Sequence, residues 1–568
     1  MSTIRTLFPF LRWLSAYRWR ADCWQDALAA CIVTAMLIPQ SLSYALLAGM
    51  PVQTGLYASI LPLLFYAVFG TSSTMSVGPM AVTSLISASV IAATDQRLHV
   101  DAPTVATAFA VLTGSFLMLM SILRLGFLAR LMSAPVLAGF NNASVLVIIW
   151  PQLWQLADLK VGQLSAQAFH PAALCIGLAA FDLLWLGKTH LPDLLARIMP
   201  KRHAANLSKA VPLLVLILAG LASRLTGLEH DSLQLKTVGS IPPGLPHLSL
   251  PQAPWPVWQA LLLPSFFMAL VVYVSAISVG QVLAAKRGEK IEPNQELLAL
   301  GTANIASGIS GAFPVTGGFS RSAVSYEAGA RTQLAAVFTA LMMAAAIGWF
   351  SHWFAPLPQT ALAAIVLISV ASMFDRTIFH RLWQYRRSEW GVMMITFFAT
   401  LFWRVDAGIG LGMLASFLLY ISQSVKPHMA EIGRLKRSES FRNVLNHEVE
   451  TWPTILSLRL DENLQFFNQE YFVETVWDKL AERTAVCHVI IQCHAINAID
   501  FSAAEALTKL NRQLAERGIA LHLSEVKQPV RRQLDQLAHH LPPERIHLSH
   551  HQAVESILAG QRTWYAEI

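Results

Sequence analysis

The feature that most constrains this chain is a series of apolar runs, each about 20 residues long and so able to cross a bilayer as a helix, through the first three quarters of the sequence. Twelve such runs lie near residues 27–50, 52–69, 103–123, 131–150, 170–187, 208–225, 257–283, 294–313, 331–350, 358–374, 389–404 and 407–425. Two further segments, 79–94 and 319–330, are too short or too rich in Gly and Ser to span alone. Each follows a Gly/Pro cluster, TSSTMSVGP at 71–79 and GAFPVTGG at 311–318, and each reads as a half-helix. The fourteen segments fall into two sets of seven, with an interrupted one third in each set. Interruptions at matching positions of two halves point to a transporter with an inverted repeat and a binding site where the helices break. The expected architecture is an all-α polytopic membrane domain, 7+7, with two half-helices.

Charge separates this domain from the rest of the chain. Residues 1–425 hold 25 Lys and Arg and 16 Asp and Glu, whereas the last 143 residues hold 16 and 18, more than twice the density. The boundary falls near Lys426, giving a membrane domain over 1–426, a linker over 427–453 and a soluble domain over 454–568. The net charge of +7 arises in the membrane part, so it reads as loop charge at a membrane surface and not as nucleic-acid binding. With a cytoplasmic N-terminus, fourteen Lys and Arg fall in loops on that side, against Arg97, Lys160, Arg224, Lys236 and Arg404 on the other. That bias also places the C-terminal domain in the cytoplasm. The basic, aromatic N-terminus runs into the first span without a small-residue cleavage site, so that span is expected to be retained.

From Thr454 short apolar strands (TILSLRL, LQFF, VCHVIIQC, IALHLS) alternate with helices beginning near Glu470, Ser502 and Val530, the pattern of a small α/β domain. The five cysteines are scattered and form no Cys-x-x-Cys pair, and His539, His540, His547, His550 and His551 fit no closed four-ligand site, so no metal is expected. The histidines read as a solvated polar surface. The sequence holds no Gly-x-Ser-x-Gly, Walker or His-Glu-x-x-His motif, so neither enzymatic chemistry nor a cofactor is expected.

Two stretches, IPQSLSYALLAGMPVQTGLYASILPLLFYAVFGTSSTMSVGPMAVTSL from Ile38 and NQELLALGTANIASGISGAFPVTGGFSRSAVSYEAGARTQLA from Asn294, resemble the sulfate permease (SulP) anion transporters, relatives of the vertebrate sulfate/chloride/bicarbonate exchangers and prestin. The C-terminal domain resembles the STAS domain that these transporters share with bacterial anti-sigma-factor antagonists. The resemblance implies interleaved core and gate domains with an anion between the two half-helices. It assigns Gln40 and Tyr44 to the pocket from the first span, Gly78, Pro79 and Met80 to the opening of the first half-helix, and Phe319, Ser320 and Arg321 to the opening of the second. It also implies a homodimer in the bacterial inner membrane, a small inorganic anion as substrate and a cytoplasmic regulator for the tail. Independently, each helix N-terminus is equivalent to about half a positive charge, so two termini and Arg321 supply about two charges for an anion.

One position departs from the pattern. Where proton- or sodium-coupled relatives carry a carboxylate in the eighth segment, this chain has Ser275, which cannot titrate near neutral pH. Weight shifts toward exchange or uncoupled conduction, with Glu327 and Asp406 as the remaining acids that could couple. Sulfate leads as substrate, with bicarbonate, chloride and dicarboxylates behind it and an anion channel as the competing class. In the tail, Ser502 matches the phosphorylatable serine of the antagonists, but it also suits a plain helix N-cap.

Overall fold

The computed structural model describes the chain except residues 1–6, 131–132, 160–170, 199, 201–203, 205–206, 226–235, 243, 404, 537–541 and 567–568. Lys160, Lys201, Arg202, Arg404, His539 and His540 therefore lie outside the described residues. The chain divides into two compact units, Met1–Ser416 and Phe417–Ile568.

The first unit is helical, as it must be where no water is present to bond the backbone. Its elements are α1 (Phe10–Ser15), α2 (Trp19–Leu47), α3 (Val52–Tyr57), α4 (Leu61–Phe69), β1 (Val77–Gly78), α5 (Ala81–Leu98), α6 (Ala102–Ile122), α7 (Ala134–Leu156), α8 (Pro171–Thr189), α9 (Leu191–Leu195), α10 (Val211–Leu225), α11 (Trp255–Arg287), α12 (Pro293–Ile309), β2 (Thr316–Gly317), α13 (Phe319–Ala328), α14 (Leu334–Phe354), α15 (Gln359–Ala371), α16 (Thr377–Tyr385), α17 (Arg387–Phe402) and α18 (Val405–Val425), whose last turns enter the second unit. Among the described residues, seven helical stretches are long and apolar enough to cross a membrane.

The helices follow the apolar runs, with the short α1 and α9 outside them and three further differences. The run at 52–69 breaks between α3 and α4. The amphipathic α16 is added before α17. The first interrupted segment is not a half-length helix: α5 has 18 residues and continues through the polar turn Asp95–Leu98, reaching about 27 Å. Only α13, with 10 residues and about 15 Å, is half a span. Glycines let α6 and α12 touch backbone to backbone, since a Cβ on Gly114 would lie 2.6 Å from the Gly301 carbonyl oxygen.

The second unit is a sheet in the order β4-β3-β6-β7-β8-β9, formed by β3 (Met429–Leu435), β4 (Phe441–Asn443), β6 (Ile455–Leu460), β7 (His488–Gln492), β8 (Ala520–Ser524) and β9 (Ile546–His547), with β5 (Val449–Glu450) pairing β3. The stretch read as a linker thus contributes three strands, and β3 joins the sheet through antiparallel bonds to β6. Strands β6 to β9 are parallel. Alternation along them splits the side chains between two cores. Leu456, Leu458, Val489, Ile491, Leu521 and Leu523 pack under α19 (Gln469–Ala481), α20 (Phe501–Glu516) and α21 (Gln528–Asp535), while Ile455 and Ile490 face Ala553, Val554 and Ile557 of α22 (His550–Ala566).

Candidate functional site

The two interruptions meet. Strands β1 and β2 pair antiparallel, Val77 with Gly317 and Gly78 with Thr316, so the chain leaves the ribbon in opposite directions into α5 and α13. The ribbon is held from several sides. The Gly318 N–H donates to the Ser76 carbonyl (3.1 Å), and the Ser76 N–H to Ser322 Oγ (3.0 Å). Thr316 Oγ1 donates to the Val272 carbonyl of α11, and the Asn304 side chain of α12 bonds the Val315 backbone in both directions. Neither α5 nor α13 has a side-chain cap, which leaves first-turn N–H groups available at both N-termini.

Arg321 occupies the middle of this arrangement and is only 2% exposed. Its Nη1 donates to the Pro79 carbonyl at 2.7 Å and reaches Gln40 Oε1 at 3.5 Å. Its Nε and Nη2 have no hydrogen-bond partner among the described residues. Glycine makes room for the guanidinium: a Cβ on Gly318 would lie 2.9 Å from its Cζ and Nη2, and one on Gly78 would lie 3.3 Å from Nη2. Among the described residues no carboxylate pairs with Arg321, since Glu327 pairs with Lys209 instead. A buried guanidinium with an unpaired edge beside two helix N-termini is a positive site whose counter-charge the protein does not itself supply.

A cavity of about 650 Å³ opens onto this point, lined by Gln40, Tyr44, Met80, Phe319, Ser320 and Arg321, with Lys188, Lys209 and Glu327 also on its wall. Pro39 within α2 and Pro79 before α5 place Gln40 and Met80 at helix irregularities. Gly78 and Pro79 stand behind the lining, against the guanidinium. Ser275, on α11, is not part of the lining. Asp406 is the second residue of α18, and its side chain lies outside the described residues.

The sequence reading missed two buried carboxylates that fix the connectors around the ribbon. Glu296, inside the NQELLALG stretch, accepts bonds from Tyr66 Oη (2.8 Å), the Thr71 N–H (2.7 Å) and Thr71 Oγ1 (2.5 Å). Asp26 of α2 accepts from the Arg331 N–H (2.5 Å) and from Thr332 Oγ1 (2.8 Å), just beyond α13. A carboxylate inside an otherwise apolar run was the available signal.

In the second unit, Ser502 is not the N-cap. Asp500 caps α20 by accepting from the Ala503 N–H at 2.9 Å, which leaves Ser502 half-buried in the first turn. The histidines depart further from expectation. His547 and His550 are 8% and 1% exposed. The imidazoles of His488, His522 and His547 bond in series at 3.2 Å across β7, β8 and β9, and His550 bridges Ser524 Oγ and Ser457 Oγ. Burial pushes His522 down to about 3 and His550 down to about 4, each with help from neighbouring charge. Among the described residues no group of side chains is arranged to hold a metal ion.

Comparison with known proteins gives the family and the fold. Residues 23–396 match the sulfate permease family and residues 446–553 match the STAS domain. Sulfate transporter 4.1, chloroplastic, of Arabidopsis thaliana is 32% identical over 548 residues, 93% of this chain and 78% of that protein. A probable sulfate transporter of Mycobacterium tuberculosis is 30% identical over 519 residues, covering 90% of each chain. In fold, the chain is similar to the murine solute carrier 26 family member A9 anion transporter in its inward-facing state, with a TM-score of 0.90 and 21% identity over 98% of this chain and 95% of that one. The chain belongs to the sulfate permease family: it is a multi-pass membrane anion transporter with a STAS domain, and not an enzyme.

Proposed function

We propose that this protein moves sulfate across the bacterial inner membrane, by alternating access and in exchange for another anion, with both termini in the cytoplasm. The observation that carries the reading is the free Nε and Nη2 edge of Arg321. Two parallel N–H groups on one edge of a planar guanidinium match two oxygens on one centre, which favours an oxyanion over a halide. With the two uncapped helix termini, the charge presented is about +2, suited to a divalent ion. The relatives named as sulfate transporters support the same substrate.

Exchange is favoured because nothing described at the pocket is free to take up a coupling cation. Ser275 does not titrate near neutral pH and is not among the residues lining the cavity, and Glu327 is paired with Lys209. The antiparallel ribbon feeding α5 and α13 supports a seven-plus-seven inverted repeat, because a two-fold axis between the strands would exchange the two helices. The remaining parts of the proposal are a homodimer and a STAS-bound cytoplasmic regulator.

Radiolabelled sulfate uptake into proteoliposomes tests the reading. Uptake should saturate, be accelerated by an internal counter-anion and be competed by external oxyanions more strongly than by chloride. A large conductance without saturation, or equal competition by chloride, overturns it.

A further inference from the structure

A second cleft lies on the membrane unit, away from the anion cavity. It is formed by the last turns of α5, the first half of α11 and the start of α18, and encloses about 650 Å³. Its walls are apolar: Val90, Leu98, Leu263, Phe267, Leu411 and Leu414, of which Leu263 is 64% and Leu414 52% exposed. Two of the three helices, α11 and α18, are long and apolar enough to cross a membrane, and the exposed Leu263 and Leu414 belong to them. Two features distinguish the cleft from an ordinary lipid-facing surface. Arg97 stands on its rim, exposed and without a hydrogen bond or ion pair among the described residues. Trp403, 70% exposed, flanks the same rim at the end of α17, where an indole marks headgroup depth.

A third feature is a backbone acceptor. Pro264 has no N–H, so the Ala260 carbonyl one turn earlier receives no helical bond from it, and both residues line the cleft. An apolar trough ending in a lone guanidinium, an indole and a carbonyl whose usual helical donor is a proline matches the parts of one phospholipid molecule: acyl chain, phosphate and a headgroup hydroxyl.

We propose that this cleft binds an anionic phospholipid, its phosphate on Arg97 and an acyl chain between α5, α11 and α18. The consequence reaches the anion site, because α5 runs from Met80 and Ala81 beside Arg321 to Leu98 in the cleft. An occupied cleft braces the far end of the helix whose N-terminus faces the anion.

The test uses the full chain, stripped of lipid in detergent and incubated with phosphatidylglycerol or with phosphatidylcholine of the same acyl chains. Bound lipid is counted by native mass spectrometry. Phosphatidylglycerol should be retained over phosphatidylcholine, and Arg97→Gln should cut its retention about fivefold, the share of one cation at an anionic phosphate. Ala407→Trp, which fills the wall without touching the charge, should lower retention of both lipids. Arg437→Gln, an exposed arginine of the second unit, should change nothing. Because Arg97 is exposed, its variant decides the matter even if Ala407→Trp fails to fold. Equal retention of the two lipids, or retention unchanged by Arg97→Gln, overturns the proposal. So does a result in which Ala407→Trp separates a dimer and leaves lipid retention intact, since the cleft is then a subunit contact.

Discussion

At the scale of single residues the site turns on how Arg321 is held. Nη1 is spent on Pro79 and Gln40, and the opposite edge, proposed above to hold the anion, has no partner among the described residues. Arg321→Ala should therefore raise the sulfate Kd by between about tenfold and a hundredfold, the range for losing hydrogen bonds to a charged group. Arg331→Ala should have little effect, because that side chain reaches only Gln25 and the Asp26 bond uses the Arg331 backbone. Isothermal titration of both purified variants checks the pair, and equal constants would remove Arg321 from the site. Gly318 offers a gentler probe. A methyl there would sit 2.9 Å from the guanidinium carbon, so Gly318→Ala should weaken binding while leaving the protein monodisperse and its melting temperature nearly unchanged. Glu296 presents the opposite case. Truncating it to Ala strands the buried Tyr66 hydroxyl and removes the acceptor of the half-buried Thr71 N–H, at a cost of about 3 kcal/mol, so the membrane unit should melt markedly earlier.

At the scale of elements, what the sequence revealed and what it hid divide along physical lines. The apolar runs located the spans because a bilayer imposes length on every helix alike. Arg321 was visible through the resemblance carried by the stretch from Asn294, and a charge between membrane spans is costly without a role. Glu296 and Asp26 escaped notice because an acid near the end of a span looks like loop charge until its partners, residues far away in sequence, are in place. The histidines were misjudged for the same reason. Read linearly, His547, His550 and His551 look like surface, but register puts His488, Ser457, His522 and Ser524 on one face of the sheet, where His550 at the start of α22 meets them. This layout predicts acid sensitivity. A histidine whose folded value is depressed adds stability above its unfolded value of about 6.5, and that stability drains away as pH falls toward the folded values of about 3 for His522 and about 4 for His550. Arg545 opposes protonation of His488 and His522, and His547 opposes that of His550. Protection against hydrogen exchange, taken relative to the intrinsic rate at each pH, should fall in β7, β8 and β9 between about pH 6.5 and pH 4 more than in β3 and β4. His522→Leu should flatten that difference, and an equal fall in all strands would show that the imidazole series is not the cause.

At the scale of the molecule, the question is what drives net movement of the anion. A symporter needs a group whose charge changes when the driving cation binds and whose state alters the anion site. The position that the resemblance points to carries Ser275, which has no charge to change near neutral pH and is not among the residues lining the cavity. Glu327 does line the cavity, and its pairing with Lys209 ties the last turn of α13 to the residues just before α10. Neutralising that pair in Glu327→Gln should therefore change the rate of exchange, by loosening contact between two helices that share the cavity, and should not create or abolish dependence on a proton gradient. Proteoliposomes loaded with or without a counter-anion, under imposed proton or sodium gradients, separate the cases. Accumulation driven by a cation gradient alone, and lost in Glu327→Gln, would identify this carboxylate as the coupling group and end the exchange reading. Accumulation that tracks only the counter-anion in both proteins would leave Arg321 and the two helix termini as the whole of the transported charge balance, with one anion taking the place of another against a site that stays positive throughout the cycle.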